Sequence, residues 1–430
     1  VSSLANDAGK NIAVFVNDYF QEFEDALHKL SKRLGRPLHA VVFIDAKIQA
    51  EHRHSLDAKG PFEQIVVDFS DDAALRRAVK PIEDQLLLVT CSSDGNQPYL
   101  EKLLPFVPYV LGPTESSLDW ATHKAKMRML MEQYDDSLVP RYQMIESASA
   151  AELQKVTSRL SFPVIVKPTG LAASLLVSRA ENATQLHSIV SQSFAVLADV
   201  YRRDGGRGKP AMIVEEFIDG DMYTIDVYVA EDGRIWALPF LRARTAYSLG
   251  LKGFYEFQAD SHVELTEKQA ADGRQAATNA VHALGLRSCV AHIEMFHTAK
   301  GWKIIELGPR AGGQRQDIYL ASFGIDHAYN ELLLKVGLEP EVDITRRAYA
   351  TTIYLYPETE GEITAIEGVD DARTNPSVYN LHVHGAPGDV ALHSSNGGKW
   401  LVRGLLTNPD KNQLYRDAET VRSTIKIKTR

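Results

Sequence analysis

Short β-rich runs alternating with amphipathic stretches open this chain, and that alternation constrains its fold more than any other feature. Runs at 11–16 (NIAVFV), 39–44 (HAVVFI), 64–69 (QIVVDF), 85–90 (QLLLVT) and 108–112 (PYVLG) are separated by helix-like segments such as YFQEFEDALHKLSKRLG and DDAALRRAVKPIED. Strands that alternate with helices imply a parallel sheet covered on both faces. No GxGxxG follows the first run, so the scaffold is Rossmann-like without the usual dinucleotide phosphate loop.

With 430 residues, 44% of them hydrophobic, the chain exceeds one core, and two or three domains are expected. A net charge of −9 leaves no cationic excess for displacing nucleic-acid counterions. No apolar run approaches the roughly 18–20 residues of a membrane span. The start, VSSLANDAGK, does not read as a signal peptide. Cys91 and Cys289 sit in apolar runs outside any CxxC, which fits buried thiols in a reducing compartment. A soluble, cytoplasmic protein is the expectation, with neither nucleic acid nor membrane as a partner.

Beyond residue 115 the pattern changes. Residues 117–134 read as one helix capped by Ser117, and 161–170 (SFPVIVKPTG) as a strand ending in a glycine turn. The stretch 211–240 reads as strand, turn, strand, hairpin and strand, with EDG at 231–233 as the tight turn. A helix over 266–286 precedes a β-hairpin over 289–313, turned at TAKG, and another helix falls near 327–338. After Pro340 the signals are mainly β with glycine-rich turns, ending in one helix, NPDKNQLYRDAETVRSTI.

The hairpin carries the first chemistry. AHIEMF and WKIIEL each hold one glutamate among apolar residues, and pairing across the turn can place Glu294 and Glu306 on one face. Adjacent carboxylates repel unless one is protonated or a cation bridges them. An oxygen-only donor set suits Mg²⁺ or Mn²⁺ rather than zinc. The alternative is an exposed hairpin with solvated acids. Lys167 ends a buried strand just before a glycine-bearing loop, as a phosphate-contacting charge would, or it snorkels from the strand end. Lys124 and Lys126 lie on the preceding helix. The run IVEEFIDG can present backbone groups to a flat heterocycle, with Phe217 and Ile218 as walls, or is an ordinary strand end.

The order of these segments, HKAKMR, VIVKPTG, IVEEFIDG, AHIEMF and IIELGPRAGG, resembles the ATP-grasp superfamily. The branch it resembles includes biotin carboxylase, carbamoyl-phosphate synthase and the amino-acid ligases. The resemblance covers about residues 110–340. It implies an α/β and α+β multidomain fold: a Rossmann-like domain at 1–115, a two-part ATP-grasp domain at 116–344 with 160–220 as the nucleotide lid, and a β-rich lobe at 345–430.

The resemblance assigns Lys124 and Lys167 to nucleotide phosphates, and the loop 169–177, through Gly170 and Ser174, to the triphosphate. It makes Glu215 an acceptor from the adenine amino group, with Glu216 and Ile218 contributing backbone contacts. The family's ribose-binding glutamate position is Met222 here, and Asp221 is the substitute. Glu294 and Glu306 match the paired Mg²⁺ ligands, while Gly308 stands where the family carries an asparagine ligand. Arg310 matches the arginine on the transferring phosphate, with Lys167 as the second group stabilising its charge, and Gly312 and Gly313 can present N–H groups to a substrate carboxylate. His292 is a candidate for orienting substrate or ligands, or is a structural histidine. Arg315, and Arg242 and Arg244 in the segment 242–257, are candidates for carboxylate recognition.

The expected activity is that of an ATP-dependent carboxylate–amine ligase working through an acyl phosphate. ATP and Mg²⁺ (or Mn²⁺) are the cofactors, a small carboxylate and an amine the substrates, an amino acid being one of them. Frequent dimerisation in the family extends to this chain as an expectation. The rivals are biotin-carboxylase-like use of bicarbonate and a non-catalytic nucleotide-binding protein.

Overall fold

The structure, a computed structural model, describes residues 9–171, 174–250, 254, 256–393 and 398–430. Parts of the expected phosphate loop (172–173), of the segment 242–257 (251–253 and 255) and of the turn SSNGGKW (394–397) lie outside the described residues. Among those described, no helix is long and apolar enough to cross a membrane.

The opening alternation forms a parallel sheet in the order Phe62–Val67, His39–Asp45, Ile12–Val16, Leu86–Thr90. The interior strand Ile12–Val16 is apolar throughout, and residues 40–44 of its neighbour are buried and apolar, because helices cover both faces. On one face Leu27 and Leu30 of helix Gln21–Leu34 meet Leu332 and Leu333 of helix His327–Lys335, so a late segment completes the first core. The run 108–112 is not a fifth strand. Pro105, Pro108 and Pro113 remove ladder donors there, and the chain turns with Val110 N–H donating to Val107 C=O.

The expected helix over 117–134 is two. Glu115–Thr122 is capped by Thr114, whose Oγ1 accepts from Ser117 N–H, so Ser117 lies inside the helix. His123 then leaves helical geometry (φ −121°, ψ 104°), and Lys124–Tyr134 starts afresh. The break frees Lys124 N–H to donate to Thr169 C=O, tying the helix start to the loop after Lys167.

A second, antiparallel sheet runs Tyr142–Ile145, Met212–Glu216, Val164–Pro168, Ser178–Ala180. Helices Ala150–Arg159 and Ala183–Asp204 supply Val156, Leu186, Val190 and Leu197 to its core.

Among the described residues the third sheet has nine strands. Its path is Gly301–Gly308, Cys289–Thr298, Asp221–Val229, Leu241–Thr245, Glu256–Asp260, Tyr349–Leu355, Val402–Asn408, Val378–Val383, with Ile235–Ala237 beside Asp221–Val229. It runs unbroken across residues 344–345. At that seam Asp260 pairs with Thr351, and Ser261 N–H donates to Ala350 C=O at 2.9 Å. Helix Lys411–Thr424 packs on the C-terminal strands through Leu414, Ala418 and Val421. It is not the last element: Lys426–Thr429 follows as a strand paired with Gly361–Glu367.

Candidate functional site

Glu294 and Glu306 face each other directly across the hairpin, and a bulge follows immediately because Met295 pairs with Ile304, leaving Ile305 extra. Both side chains are about one-third exposed (32% and 33%). Burial pushes the Glu294 carboxyl up, but His292, Arg315 and Lys124 outweigh it and hold the group below the usual range. Lys124 places its ammonium 2.8 Å from Glu306 Oε1 and 2.6 Å from Leu171 C=O.

Two cavities meet at this pair. The smaller, about 130 Å³, is walled by Ile165, Leu175, Val177, Ile218, Met222 and Phe296, with Lys167 and Glu216 at its edge. The larger, about 360 Å³, holds Asp94, Arg207, His292, Arg310 and Arg315. Lys124, Leu171, Ser174, Glu294 and Glu306 line both. A flat apolar ring suits the first space and a polar reactant the second, so the two carboxylates stand where the two spaces join.

Beneath the smaller cavity Glu215 is 3% exposed and both its oxygens are taken. Lys167 Nζ lies 2.6 Å from Oε2 and Arg128 Nε donates to Oε1 at 2.7 Å. Arg128, fully buried, also donates to Ile305 C=O at the bulge. Burial raises the Glu215 carboxyl, but the two cations overcome it and keep the group ionised. The triad carries a net positive charge. Its carboxylate holds the Arg128 guanidinium and the Lys167 amine together, the latter at the cavity edge.

In the larger cavity Arg310 donates Nε to Asp94 Oδ1 at 2.9 Å and Nη2 to Oδ2. Asp94 lies just beyond strand Leu86–Thr90, at the carboxyl end of a parallel strand, where ligands of α/β sheets gather. A Cβ added at Gly308 would stand 3.3 Å from Asp94 Oδ1, so the Asp94 carboxylate borders the space an asparagine there would enter. Arg315, 2% exposed, makes a double contact with Glu256 at 2.6 and 3.3 Å. His292 Nδ1 is 2.6 Å from Asp226 Oδ1 and its Nε2 3.8 Å from Glu294. Asp226 is wholly buried, and its second oxygen accepts from Gly312 N–H at 3.1 Å and faces His327 Nε2 at 3.3 Å.

The structure thus gathers Lys124, Lys167, Gly170, Ser174, Glu215, Glu216, Ile218, His292, Glu294, Glu306, Arg310, Gly313 and Arg315 around the two spaces. Arg242, Arg244 and Asp221 are not among the lining residues. Arg242 pairs with Asp221 at 2.6 Å and Arg244 with Asp260 at 3.2 Å. The Gly312 N–H faces inward to Asp226 rather than to a substrate. Sequence reasoning missed Asp94, Arg128, Arg207, Asp226 and Glu256. Only Asp94 left a signal, an Asp-Gly pair directly after a parallel strand.

Among the described residues no group of three or more His, Cys, Asp or Glu could hold a metal alone. Two cross-strand carboxylates fit Mg²⁺ of the kind that takes the rest of its shell from phosphate oxygens and water.

Two family models match the chain: an ATP-grasp domain at residues 160–317 and the L-amino acid ligase C-terminal domain 2 at 353–430. An L-amino acid ligase from Bacillus licheniformis has a similar structure (TM-score 0.77, 20% identity, 98% of this chain and 99% of that one). Uncharacterized protein y4rH of Sinorhizobium fredii (strain NBRC 101917 / NGR234) is 24% identical over 66% of this chain and 56% of its own length. Human carnosine synthase 1 is 28% identical over 46% of this chain and 24% of its own length. The chain therefore spans little more than half, or less, of these curated relatives. The chain thus carries an ATP-grasp domain built around the carboxylate hairpin and, beside it, an L-amino acid ligase C-terminal domain 2.

Proposed function

We propose that the protein is an ATP-dependent acid–amine ligase that joins an amino acid to a second small molecule through an amide bond. The observation that carries this reading is the position of Glu294 and Glu306, opposite each other in register and shared by the two cavities.

ATP fits with its base in the apolar slot and its phosphates toward Lys167 and Lys124. Glu294 and Glu306 would hold Mg²⁺, which when bound neutralises phosphate charge. A substrate carboxylate oxygen in the larger cavity attacks the γ-phosphorus in line, while Lys124 and Arg310 stabilise charge on the transferring group. The product is an acyl phosphate. An amine then attacks the acyl carbon, phosphate leaves, and the amide remains. Asp94 holds the Arg310 guanidinium in place, and the walls exclude water that would hydrolyse the intermediate. No Ser, Cys or His nucleophile is needed. Bicarbonate would fill a small fraction of a 360 Å³ chamber, which favours a larger carboxylate.

The test is phosphate release from Mg-ATP across amino acids singly and in pairs, with mass spectrometry of any hit. The reading expects release that needs two substrates and a product lighter than their sum by one water. Release with bicarbonate alone would overturn it.

A further inference from the structure

The cavity that holds the reacting groups extends to side chains for which the transfer step has no use. Glu306 and Glu294 lie on the first two strands of the large sheet, whereas Tyr354 lies on the sixth. All three nonetheless line one chamber, with Tyr354 the furthest of them along the sheet. Tyr356 and Trp400 line the same chamber. Trp400 reaches it on the segment paired back by Leu401 N–H to Leu355 C=O at 2.8 Å. All three rings come from the C-terminal lobe.

We infer that Tyr354, Tyr356 and Trp400 form the side-chain pocket of the amino-acid substrate and select a large aromatic side chain. The inference rests on the ligase reading and adds a substrate class to it. Charge counts against a cationic side chain here. Glu256, the acid at this end, is closed by its double contact with Arg315. Arg403 lies over the Trp400 ring at 4.8 Å, so a cationic side chain would meet a like charge where an aromatic cage would otherwise attract it. The His384 ring lies 5.2 Å from Trp400 on a tilted plane, which helps fix the indole. What remains for a ligand is aromatic faces and edges, which pair best with another ring.

The test is calorimetric titration of phenylalanine, alanine, glutamate and lysine into the protein with Mg-ADP present, alongside phosphate release with each. Phenylalanine is expected to bind at least about tenfold more tightly than the other three. Trp400→Ala, and separately Tyr356→Ala, should each reduce the phenylalanine-to-alanine ratio by about tenfold. The two variants sit on different segments, so misfolding of one leaves the other informative. Equal affinities, a preference for glutamate or lysine, or an unchanged ratio in both folded variants would overturn the inference. Phosphate release with small amino acids and no aromatic preference would sink the pocket and leave the ligase. Aromatic preference without phosphate release in any pairing would do the reverse.

Discussion

Glu215 and Asp226 are both buried carboxylates, and each organises cations that come from distant parts of the chain. Glu215 offsets one of the two positive charges that Arg128 and Lys167 bring into one dry place. Glu215→Gln would leave them uncompensated, and breaking such a pair costs roughly 3–5 kcal/mol. A urea denaturation midpoint that did not move would contradict this. Asp226 is held down to about 2: burial pushes its carboxyl up, but His292 and His327 outweigh it. Because the folded value lies below the ordinary 3.8, its contribution is complete above that pH and is lost as the pH falls toward about 2. That contribution is roughly 2 kcal/mol. Asp226→Asn should therefore flatten the stability profile between about pH 4 and 2, read from urea unfolding at a series of pH values. The paired glutamates were legible in the sequence, since each stands alone in an apolar run beside a short turn. Arg128 and Asp226 were not, because their partners lie 87 and 66 residues away and only the fold brings them together.

Among the elements, the strands with β-branched runs were the easiest to read, and the joints between elements the hardest. The run PYVLG has strand-like residues but prolines on either side, and the prolines decide. The helix break at His123 has no proline or glycine to announce it, yet it aligns Lys124 with Thr169 and the loop after Lys167. The glycine-poor loop after Lys167 has a partner in Gly205–Gly208. Arg207 N–H donates to Gly170 C=O at 3.0 Å, and a Cβ at Gly170 would come within 2.1 Å of Arg207 C=O. Gly170→Ala must push these backbones apart at the mouth of the larger cavity. The expected result is a KM for ATP raised about tenfold, or ~1.4 kcal/mol, with little change in melting temperature. An unchanged KM would show that the docking of the two loops is not needed for nucleotide.

For the whole molecule, the alternating pattern identified the N-terminal parallel sheet, and the shift to β signals after Pro340 identified the C-terminal lobe. Neither signal could show that the lobe extends the central sheet, because strand order is set by pairing rather than by local pattern. Ala350 and Leu405 enter one core with Tyr228, Val290 and Tyr319, so the lobe shares a core with the central sheet. A chain ended after residue 344 would expose strand Glu256–Asp260 as a bare edge and open that core. It should elute as aggregates in size-exclusion chromatography, whereas a well-behaved monomer would mean the lobe is an independent unit.

The central claim is that a substrate carboxylate becomes an acyl phosphate at the carboxylate hairpin. It is tested by running the reaction with the activated substrate labelled with ¹⁸O in its carboxylate and weighing the phosphate released. The account predicts one ¹⁸O in each phosphate, carried over when the acyl–oxygen bond breaks. Unlabelled phosphate, released in step with product, would contradict it.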